Sequence, residues 1–115
     1  MIARIWRGAV LGADSDAYAE YMQRTGVADY AATDGNCGVW MLRREVGGLT
    51  EVVMFTLWDS LDAVRNFAGD AYESARFYPE DDRFLVERDL VATHYTVIAD
   101  RPFTTSPIEQ LTPLR

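Results

Sequence analysis

This 115-residue chain holds one cysteine and one histidine. A lone Cys37 cannot close an intrachain disulfide and has no second thiol with which to share a metal, so a reducing compartment is expected. With His94 as the single imidazole, the donors for a transition-metal centre are missing, and no metal site is expected. No G-x-G-x-x-G, phosphate loop, C-x-x-C or H-E-x-x-H occurs, which removes the usual signatures of dinucleotide, nucleotide and zinc chemistry. Long apolar runs are absent as well. None reaches the span of a membrane helix, and MIARIWRGAV breaks its apolar residues with arginines, unlike a secretory leader; a cytoplasmic protein is expected. Positive charge is scarce: eighteen acidic residues against eleven basic ones leave a net charge of -7. Such a surface repels nucleic-acid phosphates and anionic membranes, so neither is an expected partner. Proline is nearly missing until the end, where RPFTTSPIEQLTPLR carries three of the four. That composition predicts a domain over residues 1–99 and an extended C-terminal arm over 100–115, disordered in part or laid across a neighbouring subunit.

What the chain does have is apolar residues, at 49% of the total, which is ample for one packed core. Residues 1–10 read as a first strand, ending near Gly8 and Gly12. Asp14 or Ser15 can cap a helix along which Ala17, Tyr18, Tyr21, Met22 and Ala28 recur at three- and four-residue spacing, with Thr25-Gly26 bending or breaking it. Cys37 to Val46, Gly47-Gly48 and Leu49 to Trp58 read as a hairpin with a two-residue turn. Asp59 or Ser60 caps a second helix whose face is Leu61, Val64, Ala68 and Ala71, with Gly69 near its end. After the break at Tyr78-Pro79, a last strand runs within residues 85–98.

The order β-α-β-β-α-β predicts an α+β, ferredoxin-like domain: a four-stranded antiparallel sheet with both helices on one face. The third strand is apolar on both alternations, Val53, Phe55 and Leu57 on one side and Val52, Met54 and Trp58 on the other. Helices cover one face only. The other therefore calls for a partner, and a second copy is the simplest, giving a homodimer whose sheets pack into a barrel.

Candidate chemistry is sparse. His94 is either a core histidine or a general base at the floor of a ligand cavity. Arg4 and Trp6 share one face of the first strand, and an arginine there needs a carboxylate or a bound anion, of which the carboxylate is the stronger expectation. Tyr72, Phe77 and Tyr78 cluster past the second helix, where they line either a cavity for a flat ligand or an ordinary core. Glu80-Asp81-Asp82 reads as a solvated turn before it reads as a cation site.

ARIWRG, the hairpin GVWMLRREVGGLTEVVMFTLW, W-D-S-x-x-A-x-x-x-F-A-G, Y-P-E-D-D-x-F-L and the terminal H-Y-T-V together resemble the antibiotic biosynthesis monooxygenase family of dimeric α+β barrels, over nearly residues 1 to 98. The resemblance implies a cofactor-independent monooxygenase acting on a small aromatic or apolar molecule, with His94 as catalytic base and Arg4, Trp6, Tyr72 and Tyr78 as substrate-binding residues. A non-catalytic small-molecule-binding dimer is the alternative. Heme-degrading members of this resemblance group use an asparagine on the first strand and a tryptophan and a histidine on the second helix. The matching positions here hold Trp6 or Arg7, Phe67 and approximately Phe77, so heme breakdown of that type is not expected, and no cofactor is.

Overall fold

A computed structural model describes residues 1–101. The residues of the predicted arm from 102 onward lie outside the described residues. Five strands, β1 (Ile2–Leu11), β2 (Asn36–Val46), β3 (Leu49–Trp58), β4 (Leu85–Arg88) and β5 (Thr93–Thr96), form one antiparallel sheet. Its order is β2-β3-β1-β4, with β5 also paired to β1. The helices are α1 (Ser15–Met22), α2 (Ala28–Ala32), α3 (Leu61–Ala68) and the single turn α4 (Asp81–Phe84). The α+β, ferredoxin-like plan expected from the sequence is the one the chain adopts.

The hairpin forms where predicted, because Gly47 and Gly48 both take positive φ, 51° and 44°, which side chains disfavour and the tight turn demands. Register follows: Val46 pairs with Leu49, Trp40 with Phe55, and on the other side Ile2 pairs with Trp58. This register puts Thr50, Val52, Met54, Thr56 and Trp58 on one face, where all are buried, and Leu49, Glu51, Val53, Phe55 and Leu57 on the other, where all are half-exposed. The buried face packs on the helices through Trp58, Tyr18, Val10 and Val64, none with measurable exposure. Each such side chain contributes about 1.5–3 kcal/mol relative to remaining in water, which is how the helices are held to the sheet.

Three expectations need correction. Thr25-Gly26 does not break the first helix; residues Gln23–Val27 form a π-helical turn that joins α1 to α2. The Thr25 hydroxyl donates to the Tyr21 carbonyl there, absorbing an acceptor that the wider turn would strand. Second, α3 is shorter than its apolar pattern: Ser60 caps it, accepting from the Ala63 N–H at 3.1 Å, and Gly69 with φ of 83° follows the last helical residue. Ala71 is outside it, and its buried residues are Ala63, Val64 and Phe67. Third, the last strand is divided. Residues Leu90 and Ala92 turn their backbone bonds away from β1 to the 73–75 segment, with Ala75 N–H donating to Leu90 O and Ala92 N–H donating to Glu73 O.

Among the described residues the other sheet face carries no helix. Trp40, Leu42 and Tyr95 are 48, 52 and 55% exposed, and Trp40 meets Phe55 edge-on at 5.8 Å. At one end of this face the Glu51 carboxylate accepts from Arg7 Nε at 2.6 Å and Arg44 Nε at 2.8 Å.

Candidate functional site

The division of the last strand creates the one place where β1 residues, the segment after α3 and β5 converge. Because β1 and β5 are antiparallel and Arg4 pairs with His94, their side chains leave the same face of the sheet, the helix face. Tyr72, carried over by the 72–74 segment, sets its ring edge-on to the His94 imidazole with centroids 5.2 Å apart. A cleft of about 450 Å³ opens here, its wall including Ile2, Leu61, Tyr72, Glu73, His94 and Tyr95. That volume suits a small molecule of one or two rings.

Arg4 lies beneath the cleft and is not part of its wall. It is 2% exposed, and no carboxylate among the described residues meets it. The expected ion pair is therefore wrong. Nη2 instead donates to the carbonyls of Tyr72 at 3.4 Å and Ser74 at 3.3 Å, and the guanidinium lies 5.5 Å from the Phe67 ring centre. The β1 residue is thus what ties the 72–74 segment down. Burial lowers the Arg4 pKa, and the Tyr30 phenol beside it pulls the other way. Among the described residues Arg4 Nε has no partner, and neither does His94 Nε2, and both atoms are buried. Burial, and then the positive charge of Arg4, lowers the His94 pKa, which favours a neutral imidazole.

The other two sequence candidates stand elsewhere. Trp6 shares Arg4's face but is a packed residue: its indole N–H donates to Asp89 O at 2.8 Å and its ring meets Phe77 edge-on at 6.1 Å. Its ring also covers Gly8, where a Cβ would stand 2.6 Å from the indole, so the strand keeps glycine there. The Tyr78 hydroxyl donates to Asp29 at 2.8 Å, and its backbone N–H donates to Asp81 at 2.6 Å. Arg4, Tyr72 and His94 are brought together; Trp6 and Tyr78 are not. Sequence reading missed Leu61, Glu73 and the role of residues 90–92, since only the strand division places them together.

The acidic turn is not a cation site. Asp81 is buried and accepts from Tyr78 N–H and the Tyr18 hydroxyl, Asp82 pairs with Arg88 at 2.8 Å, and Glu80 with Arg83 at 3.1 Å. Among the described residues no group of three His, Cys, Asp or Glu side chains could hold a metal ion. Cys37 is exposed, and its thiol donates to Asp59 at 3.1 Å, which raises its pKa and leaves it a poor nucleophile. No helix among the described residues is long and apolar enough to cross a membrane.

The sequence matches no protein-family model, and no curated protein matches it. Solved structures do. A Bacillus cereus protein provisionally named an antibiotic biosynthesis monooxygenase is 18% identical with a TM-score of 0.61, covering 89% of this chain and 97% of its own. An uncharacterised NIPSNAP domain protein of Burkholderia xenovorans is 17% identical at a TM-score of 0.58, covering 90% of this chain and the whole of its own. MhuD of Mycobacterium tuberculosis, a heme-degrader, was solved in a variant with two manganese protoporphyrin IX molecules per active site. It is 19% identical at a TM-score of 0.56, over 90% of this chain and all of its own. The chain has the fold of the antibiotic biosynthesis monooxygenases. At these identities the likeness is one of fold, and the same fold serves proteins named for different activities.

A porphyrin does not fit the residues between α3 and the sheet. Phe67 stacks on Tyr30 at 4.3 Å and lies 5.7 Å from Trp58, filling that layer with side chains. Phe77, which sequence spacing set near the end of the second helix, lies nine residues beyond the end of α3 and packs on Trp6 and Arg88.

Proposed function

We propose that this protein is a homodimeric, cofactor-independent oxygenase-like protein that acts on a small aromatic or apolar molecule held in the cleft beside His94. The observation that carries the reading is the buried, unpartnered Nε2 of a neutral-leaning imidazole on that cleft, backed by the Arg4 cation. A neutral imidazole accepts a proton from an acidic C–H or O–H of the substrate and becomes an imidazolium. The carbanion or enolate left behind is stabilised by the guanidinium beneath it. Molecular oxygen is the oxidant: a methylene gains a carbonyl oxygen and loses two hydrogens, which leave with the second oxygen atom as water. An electron-rich substrate carries the electrons for this step, so the protein's part is to bind, orient, exclude water and hold the proton.

Replacement of His94 by Ala is expected to abolish oxygen uptake with an anthrone or quinol while fold and assembly persist; unchanged uptake removes His94 from the role of base. Trp6 and Tyr78 enter this reading as supports for the wall rather than as groups on it. Dimer formation through the open sheet face is supported by the exposed Trp40, Leu42 and Tyr95. The cytoplasmic placement rests on the single exposed thiol.

One observation favours the non-catalytic, ligand-binding alternative: Nε2 is shielded from solvent and must turn outward before it can take a proton. Native mass spectrometry decides between them, because a co-purifying molecule that stays unaltered in air supports binding without oxidation.

A further inference from the structure

We propose that the floor of the cleft is an anion subsite, in which one negatively charged oxygen of a small aromatic ligand is held between Arg4 Nε and His94 Nε2. This rests on the reading of the cleft as a small-molecule site and adds the chemical class of the molecule: an aromatic carboxylate or phenolate rather than a neutral hydrocarbon.

A buried cation is retained only when something compensates its lost hydration. Arg4 is 2% exposed, and its compensation is incomplete: two long bonds to neutral carbonyls serve Nη2, the neutral Tyr30 phenol stands beside it, and Nε has no partner among the described residues. No side-chain carboxylate among the described residues bonds to it. The second nearby cation, Arg76, is already paired with Asp29 at 3.4 Å and donates to Phe67 O at 3.0 Å, so its own charge is engaged elsewhere. The unpartnered His94 nitrogen stands on the strand position directly opposite. Two buried nitrogens without partners, on paired residues under a cleft, are the reverse of what a filled core shows, where such groups are bonded. Once Nε2 carries a proton, taken from the ligand or from water, an oxygen with several lone pairs accepts from Arg4 Nε–H and His94 Nε2–H at once, and a charge-assisted bond to a guanidinium is among the stronger ones available.

Entry requires the imidazole to turn from its contact with Tyr72, a rotamer step open to a half-exposed side chain. Glu73, on the wall, is exposed; its charge reaches His94, where it raises the proton affinity but ranks behind burial and Arg4, which lower it. The ligand's ring then lies along Leu61, Ile2 and Tyr72, and its charged end points down.

The test is isothermal titration of the full chain at pH 7.5 and fixed salt with two probes of equal ring size, 1-naphthoate and 1-naphthalenemethanol. The carboxylate is expected to bind about tenfold more tightly than the alcohol. Arg4→Met is expected to abolish that preference, so that the two probes bind equally, both more weakly where the 72–74 segment loosens. Equal binding of both probes by the unaltered protein overturns the anion subsite and leaves the cleft reading standing; binding of neither overturns both. A preference that survives in Arg4→Met overturns the assignment to Arg4. Should that variant fail to fold, the His94 Nε2 resonance of the unaltered protein carries the test. It is expected to shift with naphthoate and not with the alcohol, and an unmoved resonance overturns the proposal.

Discussion

Arg4 and His94 stand opposite each other on β1 and β5, and each leaves one buried nitrogen without a hydrogen-bond partner. Arg4 does two things from that position. Its Nη2 bonds to the Tyr72 and Ser74 carbonyls hold the segment that brings Tyr72 to the cleft, and its charge, after burial, lowers the proton affinity of His94. Structure and reactivity at the site therefore pass through one side chain.

The first consequence is a pH dependence. The folded pKa of His94 lies below its unfolded value, so between the two the unfolded chain binds the extra proton. Stability should be fully present above the unfolded value, near 6.5, and fall as pH drops below it. Thermal unfolding of the native protein followed from pH 7.5 to 5 checks this, with His94→Gln expected to flatten the decline. By the same shift, the acid limb of kcat/KM for an oxidisable substrate should lie below about 6.5.

A second prediction concerns Arg4 and stability alone. A methionine of similar length gives up two long hydrogen bonds but also relieves a buried, unneutralised charge, so Arg4→Met should fold and change stability by no more than about 2 kcal/mol. Urea unfolding measures it. A loss above about 4 kcal/mol would mean that the charge is compensated in the folded protein by a partner in addition to the two carbonyls.

Third, the open sheet face should mediate self-association. Trp40→Glu and Phe55→Glu place a charge in the middle of that face, and each should convert a dimer to a monomer without loss of the helix-side core. Sedimentation velocity at micromolar concentration reads the outcome; a native protein that is already monomeric contradicts the pairing of sheets.

Fourth, Glu51 ties Arg7 and Arg44 together, and the hydrogen bonds from Arg44 and then Arg7 lower its pKa to about 2. A depressed carboxylate contributes stability above its unfolded value, near 4.3, that is lost as pH falls toward about 2. Glu51→Gln should show a shallower loss of thermal stability over that window than the native chain, and identical curves would remove the network from any stabilising role.

Much of the fold was legible because local chemistry and global pattern agree. Gly47-Gly48 demands a tight turn, Ser60 offers a cap, and alternation in β3 declares two apolar faces. The misreadings arise where a tertiary contact overrides the local pattern. Ala71 is the local exception: it continues the apolar spacing of α3, but the positive φ of Gly69 ends the helix at Ala68. The last strand reads as continuous, yet its 90–92 backbone pairs with residues 73–75, a long-range exchange that no window of sequence contains. For the same reason a carboxylate is the expectation for Arg4: burial of an arginine is legible from its neighbours, but the distant Tyr72 and Ser74 carbonyls as its partners are not. His94 and Tyr72 were found by residue type, while Leu61 and Glu73 became visible only once the strand was seen to divide.

The oxygenase reading is most directly tested by supplying an anthrone under isotopically labelled oxygen and following product formation against a protein-free control. The expected result is a quinone that carries one labelled oxygen, formed at a rate well above the control with the native chain and at the control rate with His94→Gln. Recovery of the anthrone at the control rate with the native protein would contradict it.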